Sequence, residues 1–148
     1  MILEGQFTIP VPQERVWAAV WDVPTLASWV PGCTSAEQVD ATTYRAHLEQ
    51  QIGFLKAAFD LLLTVTEAEA PKRVRLHAEG EDRRIRSNVQ AEMLVELEPA
   101  GDGTLLRYRH DVSVLGRLGA LGFPLIQRKA KEIEAEFARR ARAGLAGG

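Results

Sequence analysis

The feature that most constrains this chain is a change of hydrophobic period. From Tyr44 to Val114 apolar residues recur at every second position, and after Gly116 they recur at helical spacing. Tyr44, Ala46, Leu48, Gln50 and Ile52 alternate with Arg45, His47, Glu49 and Gln51, and Gly53 then turns the chain. Ala57, Phe59, Leu61, Leu63 and Val65 form the next run, followed by Val74, Leu76 and Ala78. Ser87, Val89, Ala91, Met93, Val95 and Leu97 form another, and Thr104, Leu106, Tyr108, His110, Val112 and Val114 the last. Each run is a strand with one dry and one wet face, and the short turns between them make successive strands antiparallel neighbours. The closing segment, about residues 118–143, puts Leu118, Leu121, Leu125, Ile133 and Phe137 on one stripe, with Arg128, Lys131, Glu132, Arg139 and Arg140 outside it. Such a helix would be roughly 39 Å long, and a dozen-residue strand roughly 40 Å. A sheet and a helix of equal length, both amphipathic, bury their apolar faces by lying one along the other.

Upstream, Leu3, Phe7 and Ile9 alternate with Glu4, Gln6 and Thr8 as a first strand, which Pro10 and Pro12 end. A helix is predicted over 12–21, carrying Val16, Trp17, Val20 and Trp21, with Pro12 in its first turn. A second short helix starts at Pro24 with Asp22 near its cap, carries Leu26 and Trp29, and stops at Pro31-Gly32. The order is strand, two short helices, six strands and one long helix. This is an α+β chain, expected to form a single domain over residues 1–148 as a curved seven-stranded antiparallel sheet wrapped on its terminal helix.

Charge and composition narrow the function. Eighteen basic and 20 acidic side chains give a net charge of −2, so no general attraction to nucleic acid is expected. The lone cysteine, Cys33, excludes a disulfide framework or a multi-cysteine zinc site, and the three histidines lie too far apart for ligand spacing. Neither a metal nor another cofactor is therefore expected. No apolar run approaches the roughly 20 residues that span a bilayer, and no basic-then-apolar leader opens the chain. The expected location is cytoplasmic, with a peripheral contact at the inner face of the membrane as a further expectation. The cations between Lys72 and Arg86 read as a solvated face with cross-strand pairs to Glu79, Glu81 and Glu92. The sharper reading is a contact for anionic lipid heads or an acidic partner.

A bent sheet gripping one helix cannot bring every facing side chain into contact, so a cavity is expected between them. Its lining would be Phe7, Leu48, Phe59, Leu61, Leu63, Leu76, Val89, Met93, Tyr108, Leu118, Leu121 and Leu125, with Gln50, Ser87 and His110 as polar points. Periodicity alone does not separate such a lining from a solid core, and the solid core is the plainer reading. Tyr108, His110 and Gln50 are the candidates for orienting a polar end of a ligand, although His110 also reads as a structural histidine held by a neighbour. His47 and His77 fall on the wet face. Cys33 follows a turn without an evident base and reads as a structural thiol, so no catalytic residue is assigned. Phe54 and Leu55 beside the Gly53 turn are unusual, since hairpin tips are normally polar. With Phe123, and with Trp29 next to the Pro31-Gly32 break, they are candidates for a gate or docking surface. For Trp29 the plainer alternative is packing, together with Trp17 and Trp21.

The element order resembles the helix-grip superfamily, START-like and Bet v 1-like. Within it the chain resembles the CoxG-like family, named for the CoxG subunit of carbon monoxide dehydrogenase. The segments that carry this are Glu4-Gly5-Gln6-Phe7, Pro12-Gln-Glu-Arg-Val-Trp17, Trp21-Asp22-Val-Pro-Thr-Leu26 and Pro31-Gly32-Cys33. Ile52-Gly53-Phe54-Leu55-Lys56 leading into Phe59, Gly103-Thr104-Leu-Leu-Arg-Tyr108 and Leu115-Gly116-Arg-Leu-Gly119 continue it. The resemblance implies a non-catalytic binder of a hydrophobic small molecule, of lipid or quinone class. Its implied partner is a molybdenum-containing carbon monoxide dehydrogenase-type hydroxylase, which it would help to mature or recruit to the membrane. Two departures stand out. The family is typically glycine-rich where this chain has Glu81-Asp-Arg-Arg-Ile-Arg-Ser-Asn88, and members can carry a C-terminal extension for membrane attachment where this chain reads Ala143-Gly-Leu-Ala-Gly-Gly148. Two other functions fit the same fold: a small aromatic cyclase or hydratase, and a protein-interaction accessory with no ligand.

Overall fold

The computed structural model describes residues 1–146. The strands are β1 (Ile2–Ile9), β2 (Cys33–Gln38), β3 (Thr43–Ile52), β4 (Leu55–Glu69), β5 (Arg73–Asp82), β6 (Ser87–Ala100) and β7 (Gly103–Gly116). Two short helices, α1 (Gln13–Val20) and α2 (Val23–Trp29), follow β1, and α3 (Phe123–Ala146) closes the described chain. The seven strands form one curved antiparallel sheet in the order β1-β7-β6-β5-β4-β3-β2. The expected architecture is therefore present.

Register puts the alternating residues on two distinct faces. Leu48 lies opposite Phe59, Leu63 opposite Ala78, Leu76 opposite Met93 and Val95 opposite Tyr108, all on the concave face. The convex face carries the charges. Arg73 meets Glu69 and Glu96 there, Arg75 meets Glu67, and His77 meets Glu92. The cations between Lys72 and Arg86 are thus largely matched by carboxylates, though mostly by Glu67, Glu69 and Glu96 rather than by the partners expected from sequence.

The short helices are set by local chemistry and then tied to distant elements. Asp22 caps α2 by accepting from the Thr25 N–H, and Pro24 occupies its first turn. Gln13 in α1 donates to the carbonyls of Pro71 and Leu97, both at 3.0 Å, and Arg15 donates to the Leu145 carbonyl at the end of α3. These bonds fasten α1 to the sheet and to the terminal helix at once.

The terminal helix begins later than its stripe predicts. Gly119–Leu121 forms a 3-10 turn, and Gly122 at φ +92° breaks the path before Pro124 opens α3. A positive φ costs glycine little and other residues more, so the break is built into position 122. Leu118 is outside the helix altogether. Its N–H donates to the Ser87 hydroxyl at 3.0 Å and its side chain is buried against the sheet.

Candidate functional site

The concave face divides into three stretches. At one end Ile9, Val11, Val16, Trp29, Leu97 and Leu106 pack with Ala141 and Leu145 of α3. At the other, Ile52, Leu55, Ala57, Phe59 and Ile85 pack with Leu118, and Leu121 and Leu125 close over them. Between the two, Ala78, Ala91 and Val112 gather Leu3, Leu63, Leu76, Val89 and Met93, and among the described residues this middle cluster includes none from α3. Leu48, Leu61, Leu63, Leu76, Val89 and Met93 stay half-buried. The helix is supported at both ends and leaves the middle of the sheet with accessible apolar surface.

The polar residues stand where this stretch borders the sealed one around Trp29, against which Tyr108 packs. Tyr108 on β7 points towards α3, and its hydroxyl donates to Glu134 Oε1. Lys131 Nζ lies 3.5 Å from the same oxygen and donates to the Glu4 carbonyl at 2.7 Å. Burial first, and then the Glu134 carboxylate, push the Tyr108 hydroxyl well above its ordinary pKa, so it remains a protonated donor. His110 stacks on the Tyr108 ring with centroids 5.0 Å apart. Its Nδ1 is buried without a hydrogen-bond partner. Burial holds His110 below its ordinary pKa, partly offset by the Arg109 backbone, so the imidazole is neutral near pH 7. An unpartnered buried nitrogen costs about 1–3 kcal/mol, which a ligand or water hydrogen-bonded to it would recover. A cleft of about 110 Å³, lined by Leu3, Tyr108, Gln127, Ala130 and Lys131 among others, opens at this seam between β1 and α3.

Glu134 is the residue that sequence reasoning missed. It sits three residues before Phe137 on the edge of the apolar stripe and looks solvated on a helical projection. The deciding signal is Gly5, where a Cβ would collide with the Glu134 carboxylate and come within 2.8 Å of the Tyr108 hydroxyl. The small residue on β1 makes room for the carboxylate.

Other expected residues fall elsewhere. Gln50 points inward, but its amide nitrogen is engaged by the Pro31 carbonyl at 2.6 Å, so it fixes the Pro31-Gly32 loop. Phe7 packs edge-on against Phe137 at 6.0 Å, in the sealed stretch rather than the middle. Phe59 and Leu118 are likewise buried in the opposite sealed stretch. Trp29 does not belong to an exposed gate: it is 5% exposed and abuts Phe137 and Gly144. Leu55 is also removed from the docking surface, because it is the first β4 residue, pairs with Ile52 and is buried. Phe54 and Phe123 are exposed, as expected. Cys33 is half-buried with its thiol near the Ser35 carbonyl. His47 and His77 lie on the convex face, against Asp60 and Glu92. No cluster of three potential metal ligands occurs among the described residues.

The sequence profile for CoxG, the carbon monoxide dehydrogenase subunit of that name, matches residues 5–145, nearly the whole chain. The chain belongs to the CoxG family. No curated protein matches it significantly. Among solved structures, this CoxG-family chain is similar to a conserved protein from Geobacillus kaustophilus, with 26% identity and a TM-score of 0.90, over 99% of this chain and 96% of that one. It is also similar in fold to a START superfamily protein from Mycobacterium smegmatis, with 16% identity and a TM-score of 0.77, over 99% and 97% of the two chains. A Thermus thermophilus protein shares the fold at 18% identity and a TM-score of 0.70, over 98% and 99%. CoxG membership and the START-like fold together suggest an accessory role with hydrophobic-ligand binding. No helix among the described residues of this CoxG-family chain is long and apolar enough to cross a membrane.

Proposed function

We propose that this CoxG-family protein binds a hydrophobic small molecule of lipid or quinone class between the concave face and α3. It would act as an accessory to a molybdenum-containing carbon monoxide dehydrogenase-type enzyme. The observation that carries the binding reading is the middle cluster around Ala78, Ala91 and Val112: among the described residues α3 contributes none to it, and its Leu63, Leu76, Val89 and Met93 stay half-buried, while both flanking clusters are closed by residues beside or on that helix. Apolar surface removed from water there would drive binding at about 25 cal/mol per Å². Tyr108 and His110 would orient the ligand's polar end: the Tyr108 oxygen retains acceptor capacity and His110 Nδ1 lacks a partner. The partner enzyme rests on family membership alone.

Native mass spectrometry of protein from its own host, followed by organic extraction, tests this reading. A stoichiometric lipid or isoprenoid quinone supports it and names the ligand class. An empty protein that also fails to take up a fluorescent apolar probe overturns it. The cluster of Tyr108, Glu134, Lys131 and His110 favours one second reading, a cyclase or hydratase, since proton transfer needs positioned acids and bases. Turnover of a bound ligand that is lost in Tyr108→Phe or His110→Phe, with probe binding intact, would replace the carrier reading.

A further inference from the structure

The seam between β1 and α3 has an uneven hydrogen-bond inventory. The Tyr108 hydroxyl has one proton, and it is spent on Glu134 Oε1. What Tyr108 still offers a ligand is a lone pair. Glu134 adds acceptor oxygens only. His110 is neutral near pH 7, so its ring carries a single N–H. The Arg109 backbone favours the protonated ring, so its carbonyl is the partner which that proton faces, and the other ring nitrogen presents a lone pair. The side-chain donors along the cleft are those of Lys131 and Gln127. Both residues are exposed, so water already satisfies them, and a ligand carbonyl that displaced this water would gain little. Lys131 is in addition engaged with the Glu4 carbonyl at 2.7 Å. The sheltered side of the seam is thus rich in acceptors and poor in donors. Register sets this side against the apolar lining. His110 lies opposite Leu3 on β1 and Met93 on β6, and both of these pack on the middle cluster. Leu3 also lines the cleft beside Tyr108, so cleft and middle cluster share a wall.

We propose that the seam selects hydrophobic ligands whose polar end donates a hydrogen bond: an alcohol, a phenol or a hydroquinone. Ligands whose polar end only accepts, such as a ketone, an ether or a quinone, bind less well. This rests on the reading that a hydrophobic molecule occupies the concave face, and it narrows the class of that molecule. A ligand hydroxyl that reaches Tyr108 or His110 finds a lone pair to donate to. A carbonyl there sets lone pairs against lone pairs, and its oxygen is left unpaired away from water. A bond left unmade in this way lowers affinity about tenfold. Glu134 is the positioning residue, because it holds the Tyr108 proton away from the ligand and so fixes Tyr108 as an acceptor.

Displacement of a fluorescent apolar probe by dodecanol, and by the methyl ketone of equal chain length, tests this in wild type and variants. Wild type should bind the alcohol about tenfold more tightly than the ketone. In Glu134→Leu the Tyr108 proton is free to meet a carbonyl, so the ketone should gain affinity and the preference should fall towards parity. Tyr108→Phe removes proton and lone pair together, and should narrow the preference by weakening the alcohol instead. Unaltered melting curves would show both variants folded. Equal affinities in wild type, or a preference for the ketone, overturn the proposal and leave the binding reading standing. A loss in Glu134→Leu that falls alike on alcohol and ketone also overturns it, since the carboxylate would then be structural. Wild-type protein that takes up neither the probe nor either competitor overturns the binding reading and the proposal together.

Discussion

The stretch around Trp29 and the stretch around Met93 are built from the same alternation on the same sheet, yet one is sealed and the other is not. In the first, Ala141 is 0% exposed and Ile9 and Val16 are each 1% exposed, because α3 brings small residues down onto large ones. Gly144 is the extreme case, since a Cβ there would lie 2.7 Å from the Trp29 indole nitrogen. In the second, Leu63, Leu76 and Met93 face α3 without a helix residue in their cluster. Strand pattern decides which residues turn inward. Whether they meet anything depends on the opposing helix, which among the described residues contributes to the two flanking clusters and not to the middle one.

Substitutions in the two stretches should therefore behave oppositely. Trp29→Ala removes the largest side chain of the sealed stretch and should cost about 3–5 kcal/mol of stability in denaturant unfolding. Ala141→Leu overfills the same stretch and should cost about 1–3 kcal/mol by the same measurement. Met93→Trp adds a ring system to the middle stretch, yet it should cost less than about 1 kcal/mol, because Met93 is only half-buried and no α3 residue belongs to its cluster. It should at the same time abolish uptake of an apolar fluorescent probe. If Met93→Trp proved as damaging as Ala141→Leu, the middle stretch would be a packed core and the contrast would collapse.

The smallest expected effect is at His110. At neutral pH, His110→Phe should be near neutral in stability, since an apolar ring replaces a buried nitrogen that has no partner. Its effect appears on acidification. Burial holds the folded-state pKa below the ordinary 6.5, so as pH falls through that value the unfolded chain takes up a proton that the folded chain refuses. The unfolded state then binds more protons, and wild-type stability falls with pH. That contribution is fully present above 6.5 and is lost below it. Melting temperatures of wild type and His110→Phe should diverge in the variant's favour between neutral and mildly acidic pH. Parallel curves would mean that His110 is solvated.

Much of this was legible in the sequence, for a definite reason. A period of two specifies which face a side chain occupies, so Tyr108 and His110 turn inward and His47 and His77 outward as expected. Asp22 and Pro24 mark the start of α2 through local hydrogen bonding and a fixed φ, and local rules transfer well. What was not legible depends on distant partners. For Trp29 the sequence leaves packing and a gate both open, with packing the plainer, and only α3, arriving with Gly144 and Phe137, decides for packing. Gln50 looks like a pocket residue until the Pro31 carbonyl is placed beside its amide. The start of α3 was misplaced because Leu118 and Leu121 keep the helical spacing while Gly122 leaves the helical conformation.

Gly5 has no side chain, and that absence sets the electrostatic character of the seam. It admits the Glu134 carboxylate to the Tyr108 hydroxyl, and Lys131 follows as the counter-ion. A single methyl at position 5 would crowd the Glu134 carboxylate, the Tyr108 hydroxyl and the Lys131 ammonium together, so the whole polar group at the seam would have to shift. In evolutionary terms position 5 is a selector. A lineage could retune the polarity of the seam through a site that contributes no functional group of its own.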